Sequence, residues 1–372
     1  MHCTTCLLSY FQTKSSKINP TLKDAKKNFK NTYKIKETIG KGHFAKVYRG
    51  VCLKTGDIVA IKTLKLKYHE EHQERTKDSS FSEDPFLILE EEAAILKSLC
   101  LSEATESHKN IQTFYSSWKL PSSYFLVTEY LSGGNLCSKW NKSLKRYTEY
   151  HAKTIISQVL DATNYIHSKS IIHRDINHEN VLFVNGEVGD LRVKLIDFGI
   201  ATVMPSKEQT QERNEEVLGD SSLTSSIITS NSSNCSKECC ETKTPSGPVL
   251  SFVGTPSYIA PEIIFCHDLH DHLIGYNQKV DIWSIGVLTY YLLSGLKPFV
   301  SDSERDHYQS KSTQNNGAYS LYEKIKYADF SFPNFKWHDK SFECKEFVRE
   351  VLRKDPLKRL DAKEGMEHEW FQ

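Results

Sequence analysis

The chain has 372 residues, with 48 Lys or Arg against 47 Asp or Glu and a formal net charge of +1. That balance offers no global field for nucleic acid or anionic lipid, so such binding would need a local patch, and 38% hydrophobic with 11% aromatic residues excludes a wholly disordered chain. The longest uncharged run of membrane-like composition, Ile282 to Leu296, has 15 residues and is too short to span a bilayer, and residues 1–13 lack the positive n-region of a secretory signal.

In chain order, residues 14–36 hold eight lysines and one acid, Asp24, which reads as a flexible basic tail over residues 1–32. The alternative for that run is a weak anchor to anionic lipid, helped by acylation of Cys3 or Cys6. Tyr33–Ile35, Lys46–Arg49 and Ile58–Ile61 alternate as strands, with Gly40, Gly42, Gly50 and Lys54-Thr-Gly-Asp57 as turns between them. Glu90–Leu99 shifts to helical spacing, with Ala93, Ile95, Leu96 and Leu99 in its apolar stripe. From Thr148 onward the periodic stretches are helical: Ile155 to Ile166, Ile282 to Leu293, and Phe347 to Leu352. Strands first and helices after imply an α+β arrangement in two lobes, a small β-rich one at about 33–130 and a larger helical one at about 131–371. His69–Asp84, Ser301–Gly317 and above all the Ser/Thr-rich stretch at about 206–248 interrupt the pattern, the last reading as a disordered insertion.

Ten cysteines are scattered through the chain, and with no secretory signal they read as reduced thiols of an intracellular, cytoplasmic protein. Cys3-x-x-Cys6, Cys235-x-x-x-Cys239-Cys240 and the Cys266–His272 run each lack a closed four-ligand set, so solvated loops are preferred to zinc sites.

The chemistry-bearing residues come next. Gly40-Lys41-Gly42-His-Phe-Ala45-Lys-Val47 lies between two strand-like runs, where glycines let a hairpin approach a polyphosphate, although an ordinary hairpin uses the same residues. Lys62 closes the apolar run Val59-Ala60-Ile61 and needs an anionic partner, for which Glu92 on the following helix is the candidate. His173-Arg174-Asp175-Ile-Asn177-His-Glu179-Asn180 is far more specific. Together with Asp197-Phe198-Gly199, it gathers a base for a hydroxyl, an amide oxygen and a second carboxylate for metal.

On these motifs the chain resembles the eukaryotic protein kinases over residues 33–371. Gly254-Thr255-Pro256, Ala260-Pro261-Glu262, Asp281-Ile-Trp283, Arg359 and His368-Glu-Trp370 add to the match. Within that superfamily it is most similar to serine/threonine kinases of the calcium/calmodulin-dependent group. The resemblance implies ATP and Mg2+ as cofactors and protein substrates with a Ser or Thr acceptor. It implies Ile39, Gly40, Lys41, Gly42, Val47, Ala60 and Leu182 around the nucleotide, and Thr128 ahead of a hinge at Glu129-Tyr130-Leu131. Lys62 would hold phosphates and be oriented by Glu92, Asp175 would serve the acceptor hydroxyl, and Asn180 and Asp197 would hold magnesium. Glu262 and Arg359 would pair, and Asp281 would brace the catalytic loop.

Three departures bear on function. Ala45 stands in place of a third loop glycine, and Asn135 stands where many relatives directed to basic substrates carry Glu. Asn177 occupies the place of a lysine, so Asn177→Lys is expected to raise turnover by adding a cation beside the transferred group. A pseudokinase that binds nucleotide or partners is the alternative reading. It rests on Asn177 alone, while a tyrosine kinase is disfavoured by Gly254-Thr255-Pro256. An activating kinase could act at Ser251, whose phosphate would meet Arg174.

Overall fold

The computed structural model describes residues 22–41, 45–65, 86–100, 108–139, 146–204, 254–269, 276–300 and 321–372. The insertion at 206–248, the polar stretches 69–84 and 301–317, Gly42, Ser251, Cys3, Cys6 and Cys235–Cys240 lie outside these residues.

Five antiparallel strands build the first lobe: β1 (Tyr33–Lys41), β2 (Lys46–Cys52), β3 (Ile58–Lys65), β4 (Phe114–Leu120) and β5 (Ser123–Glu129), in the order β1-β2-β3-β5-β4. Directly opposed residues share a face, and alternate residues along a strand change face. Val47 opposes Lys62, and Ala60 opposes Thr128. Lys62 and Ala60 therefore project to one side of the sheet with Val47 and Thr128. Val59, Ile61, Phe125 and Val127 project to the other, where they form a small core of their own. Helix α2 (Leu87–Ser98) covers the Lys62 side, burying Leu89, Ala93, Ile95 and Leu96 in the main core.

The opposite side has its own cover. Leu22–Thr32 forms a helix, α1, which corrects the reading of residues 1–32 as a flexible tail over this part. The cause is one aromatic anchor: Phe29 is buried, its ring stacked on Phe125 at 4.3 Å and edge-on to Trp118 at 5.9 Å. Lys26, Lys27 and Lys30 are exposed on its solvent side, as an amphipathic helix on a sheet requires.

The second lobe is helical around α3 (Glu149–Ser168) and α5 (Lys279–Ser294), with α4 (Pro261–Leu269), α6 (Leu321–Tyr327), α7 (Asn334–Trp337), α8 (Phe342–Val351) and α9 (Ala362–Glu367) around them. Side chains of Thr148 and Ser341 cap α3 and α8, and Asp361 with Glu364 forms a capping box on α9. Arg359, almost wholly buried, donates to both Glu262 oxygens at 2.7 and 3.0 Å, the pairing the resemblance implies. Two short ribbons, β6 (Ile171–Ile172) with β9 (Thr202–Val203) and β7 (Val181–Phe183) with β8 (Val193–Leu195), carry the loops of the cleft. No helix among the described residues is long and apolar enough to cross a membrane. Cys52, Cys100, Cys137 and Cys344 are free thiols, and no metal-holding His/Cys/Asp/Glu cluster occurs among the described residues.

Truncating the anchor tests the packing of α1. Phe29→Ala removes a buried aromatic ring, a change that costs about 3 kcal/mol. Hydrogen exchange should show amides of residues 22–32 losing protection while α3 and α5 keep theirs. Equal loss in both lobes would contradict a local anchor.

Candidate active site

The polar centre of the cleft forms where β3, α2 and the residues after β8 meet. Lys62 projects from β3 because the sheet register turns it toward α2. Its Nζ donates to Glu92 Oε1 at 3.0 Å and Oε2 at 2.8 Å, and to Asp197 Oδ1 at 2.7 Å. Burial pulls the Lys62 ammonium down, but the charges of Asp197 and Glu92 outweigh it and hold the group above its ordinary range. Lys62 holds Asp197 below the usual carboxylate range against the opposing effect of burial. Glu92 is pushed up by burial and drawn back by Lys62.

Asp197 adopts a left-handed backbone, φ 60°, a conformation that an ordinary side chain reaches only at some cost. Gly199 follows, where a side chain would press on the ion cluster. A Cβ there would lie 3.1 Å from Asp197 Oδ1 and 3.4 Å from both Glu92 Oε2 and Lys62 Nζ, crowding the ion cluster.

A second centre forms on the loop between β6 and β7. Asp175 Oδ1 accepts from Thr255 N (3.0 Å), Thr255 Oγ1 (2.8 Å) and Asn177 Nδ2 (2.9 Å). Its Oδ2 accepts from Asn180 Nδ2 at 2.8 Å. Beneath the loop, Asp281 is fully buried and accepts from the His173 and Arg174 backbone N–H groups, each at 2.9 Å, and contacts His167 Nε2 at 2.9 Å. Burial would raise its pKa, but hydrogen bonding and charge from His167 and then His173 keep it low. That brace carries Arg174 through a left-handed φ of 69°. Gly254, at φ 110°, faces the Arg174 carbonyl oxygen so closely that a Cβ would sit 2.8 Å from it. Arg174 itself donates to Ile200 O at 2.5 Å and to Tyr276 Oη at 3.1 Å.

Asn177 has a role that its residue type did not announce. It is 3% exposed. Its amide nitrogen bridges Asp175 Oδ1 and Thr255 Oγ1 (2.9 and 3.0 Å), while its Oδ1 accepts from the backbone of Glu179 and Asn180 at 2.8 and 3.2 Å. A lysine has no acceptor to replace that oxygen. The expectation that Asn177→Lys raises turnover is therefore reversed below.

The remaining candidates divide between the walls and the margin of the cleft. Ala60 and Leu131 are buried, and Val47 and Leu182 half-buried. Ile39 and Lys41 are exposed toward the end of β1, and Gly40 pairs with Val47 in the strand register. Glu129 ends β5, where Lys194 Nζ and the Thr113 N–H both reach its Oε1 at 2.6 Å. Sequence reasoning missed Lys194, 65 residues away with no local signal. It quoted Thr255 only as a mark of class, and it passed over His167.

The oxygen donors fit a hard divalent cation. Asn180 is anchored through its amide nitrogen, which leaves its Oδ1 without a hydrogen bond among the described residues. Asp197 binds Lys62 and the Gly199 N–H through Oδ1 and leaves Oδ2 unclaimed. Carboxylate and amide oxygens of this kind suit Mg2+, which takes few protein ligands and completes its shell with water and phosphate.

The family model for the protein kinase domain matches residues 33–371. Myosin light chain kinase A of Dictyostelium discoideum is 28% identical over 339 residues, covering 91% of this chain and 88% of that protein. A probable myosin light chain kinase of the same organism is 30% identical over 339 residues, with 91% and 83% covered. Calcium/calmodulin-dependent protein kinase type 1B of Rattus norvegicus is 26% identical over 352 residues, with 94% and 78% covered. Since the matched span takes in the whole sheet, both polar centres and the helical lobe that braces them, this chain belongs to the protein kinase domain family.

Proposed function

We propose that the chain transfers the γ-phosphoryl group of ATP to serine or threonine hydroxyls of protein substrates, with Lys62, Glu92, Asp175, Asn177, Asn180 and Asp197 as its working residues. The observation that carries the reading is the assembled contact of Lys62 with both Glu92 and Asp197. A chain that only bound partners would have no need to hold a half-buried lysine between two carboxylates. The similarity to kinases named for myosin light chain, and to one named for calcium/calmodulin dependence, supports a protein substrate.

Phosphoryl transfer asks a protein for position and charge more than for covalent chemistry. Lys62 supplies a fixed cation for phosphate oxygens. Asp175 sits where an acceptor hydroxyl can hydrogen-bond to it, oriented by Asn177, Thr255 and Asn180. Asn180 Oδ1 and Asp197 Oδ2 would hold magnesium, which would supply charge to neutralise the phosphates. Ile39, Val47, Ala60 and Leu182 would sandwich the adenine, with the backbone of Glu129 and Leu131 at its edge, and Gly40, Lys41 and Gly42 would cover the phosphates.

Removing the base separates binding from chemistry. Asp175→Ala should lose about 10²–10⁴-fold in turnover on a Ser/Thr peptide array with radiolabelled ATP while still binding nucleotide. Wild-type protein that binds ATP yet transfers no more phosphate than Asp175→Ala would establish the pseudokinase instead.

Asn177→Lys should lower turnover by about tenfold or more with little change in the Michaelis constant for ATP. The substitution strips the acceptor from two backbone N–H groups and unseats Asp175, and each hydrogen bond so lost costs about 1 kcal/mol. A higher turnover in steady-state assays would show that the added cation outweighs the lost bonds.

A further inference from the structure

The face of the sheet opposite Lys62 carries a concave feature that the catalytic reading does not use. A groove of about 700 Å³ opens between α1, the start of β1, the β2–β3 turn and the β4–β5 turn. Its floor is apolar, built on the stacked Phe29 and Phe125. Ile35 and Leu53, 37% and 51% exposed, stand at its sides. Lys26, Lys30, Lys34 and Lys65 also line it, all exposed, with no Asp or Glu among the described lining residues. None of the four has an ion-pair partner among the described residues.

In a chain whose net charge is +1, four exposed lysines around one apolar concavity create a local field that favours an anionic occupant. Exposed apolar side chains inside a concavity, rimmed by charge, mark a place where another chain seats its own. We propose that this groove docks an acidic peptide segment of a partner protein. Bulky apolar side chains of the segment would lie over Phe29 and Phe125 between Ile35 and Leu53, with flanking carboxylates against the four lysines. A bilayer fits less well, since a flat surface reaches the lysines but not a floor recessed behind α1 and the two turns.

The test uses the full chain and a fluorescent dodecapeptide with two Phe in an Asp/Glu background, read by anisotropy. Two control peptides carry Lys in place of the acids or Ala in place of both Phe. The acidic Phe peptide should bind about tenfold or more tightly than either control, and more weakly as salt rises. Lys30→Glu with Lys34→Glu, and separately Leu53→Glu, should each weaken it about tenfold while the melting temperature and phosphoryl transfer to a short generic peptide stay at wild-type values. Should either variant melt early, Lys65→Glu serves in its place under the same criterion. Equal binding of all three peptides, or binding that the variants leave unmoved, overturns the proposal. So does charge-reversal-sensitive binding to phosphatidylserine vesicles without peptide binding, which would assign the face to a membrane.

Discussion

The structure turns on one half-buried cation held between two carboxylates. Lys62 comes from the sheet, Glu92 from the helix laid across it, and Asp197 from the loop after β8, and only their meeting makes each acceptable where it is. Glu92 is the buried member, 3% exposed, and leaving its charge without Lys62 would cost several kcal/mol. Because the three groups belong to three separate elements, the same contact that would position phosphates also reports that sheet, helix and loop are in register. Binding geometry and fold are then one constraint.

Two of the four non-glycine residues with left-handed backbone among the described residues lie in the cleft beside that contact. Arg174 and Asp197 both hold left-handed backbone, and each is held by bonds that would be lost if it relaxed: Asp281 to the Arg174 N–H, and Lys62 to the Asp197 carboxylate. Gly199 and Gly254 leave room for them. A site that must place two carboxylates and an amide within one loop system pays for it in backbone conformation, and the buried Asp281–His167 contact supplies the rigid base.

Much of this was legible in the sequence because short motifs carry their own geometry. Strand alternation around Val59-Ala-Ile placed Lys62 inward, and the spacing of Asp175, Asn180 and Asp197 announced a cleft before any coordinate did. Helix α1 was hidden by its charge. Leu22, Ala25 and Phe29 already recur at helical spacing, but the surrounding lysines suggested solvent, and nothing local shows that Phe125 waits across the sheet. Asn177 was misjudged for a related reason. Counting charges records the absence of a cation, whereas the buried amide acts through hydrogen bonds whose partners include Thr255, 78 residues away. The Lys194–Glu129 pair lies beyond local patterns altogether.

The central claim, that Lys62 and Glu92 act as one unit, is tested most directly by a double-mutant cycle on phosphoryl transfer. Lys62→Met, Glu92→Gln and the pair together would be compared with wild type in single-turnover assays with MgATP. The account predicts strong non-additivity, the double variant being no slower than the slower single one, because either change alone dismantles the contact. Losses that simply add would show that the two residues act independently and would contradict it.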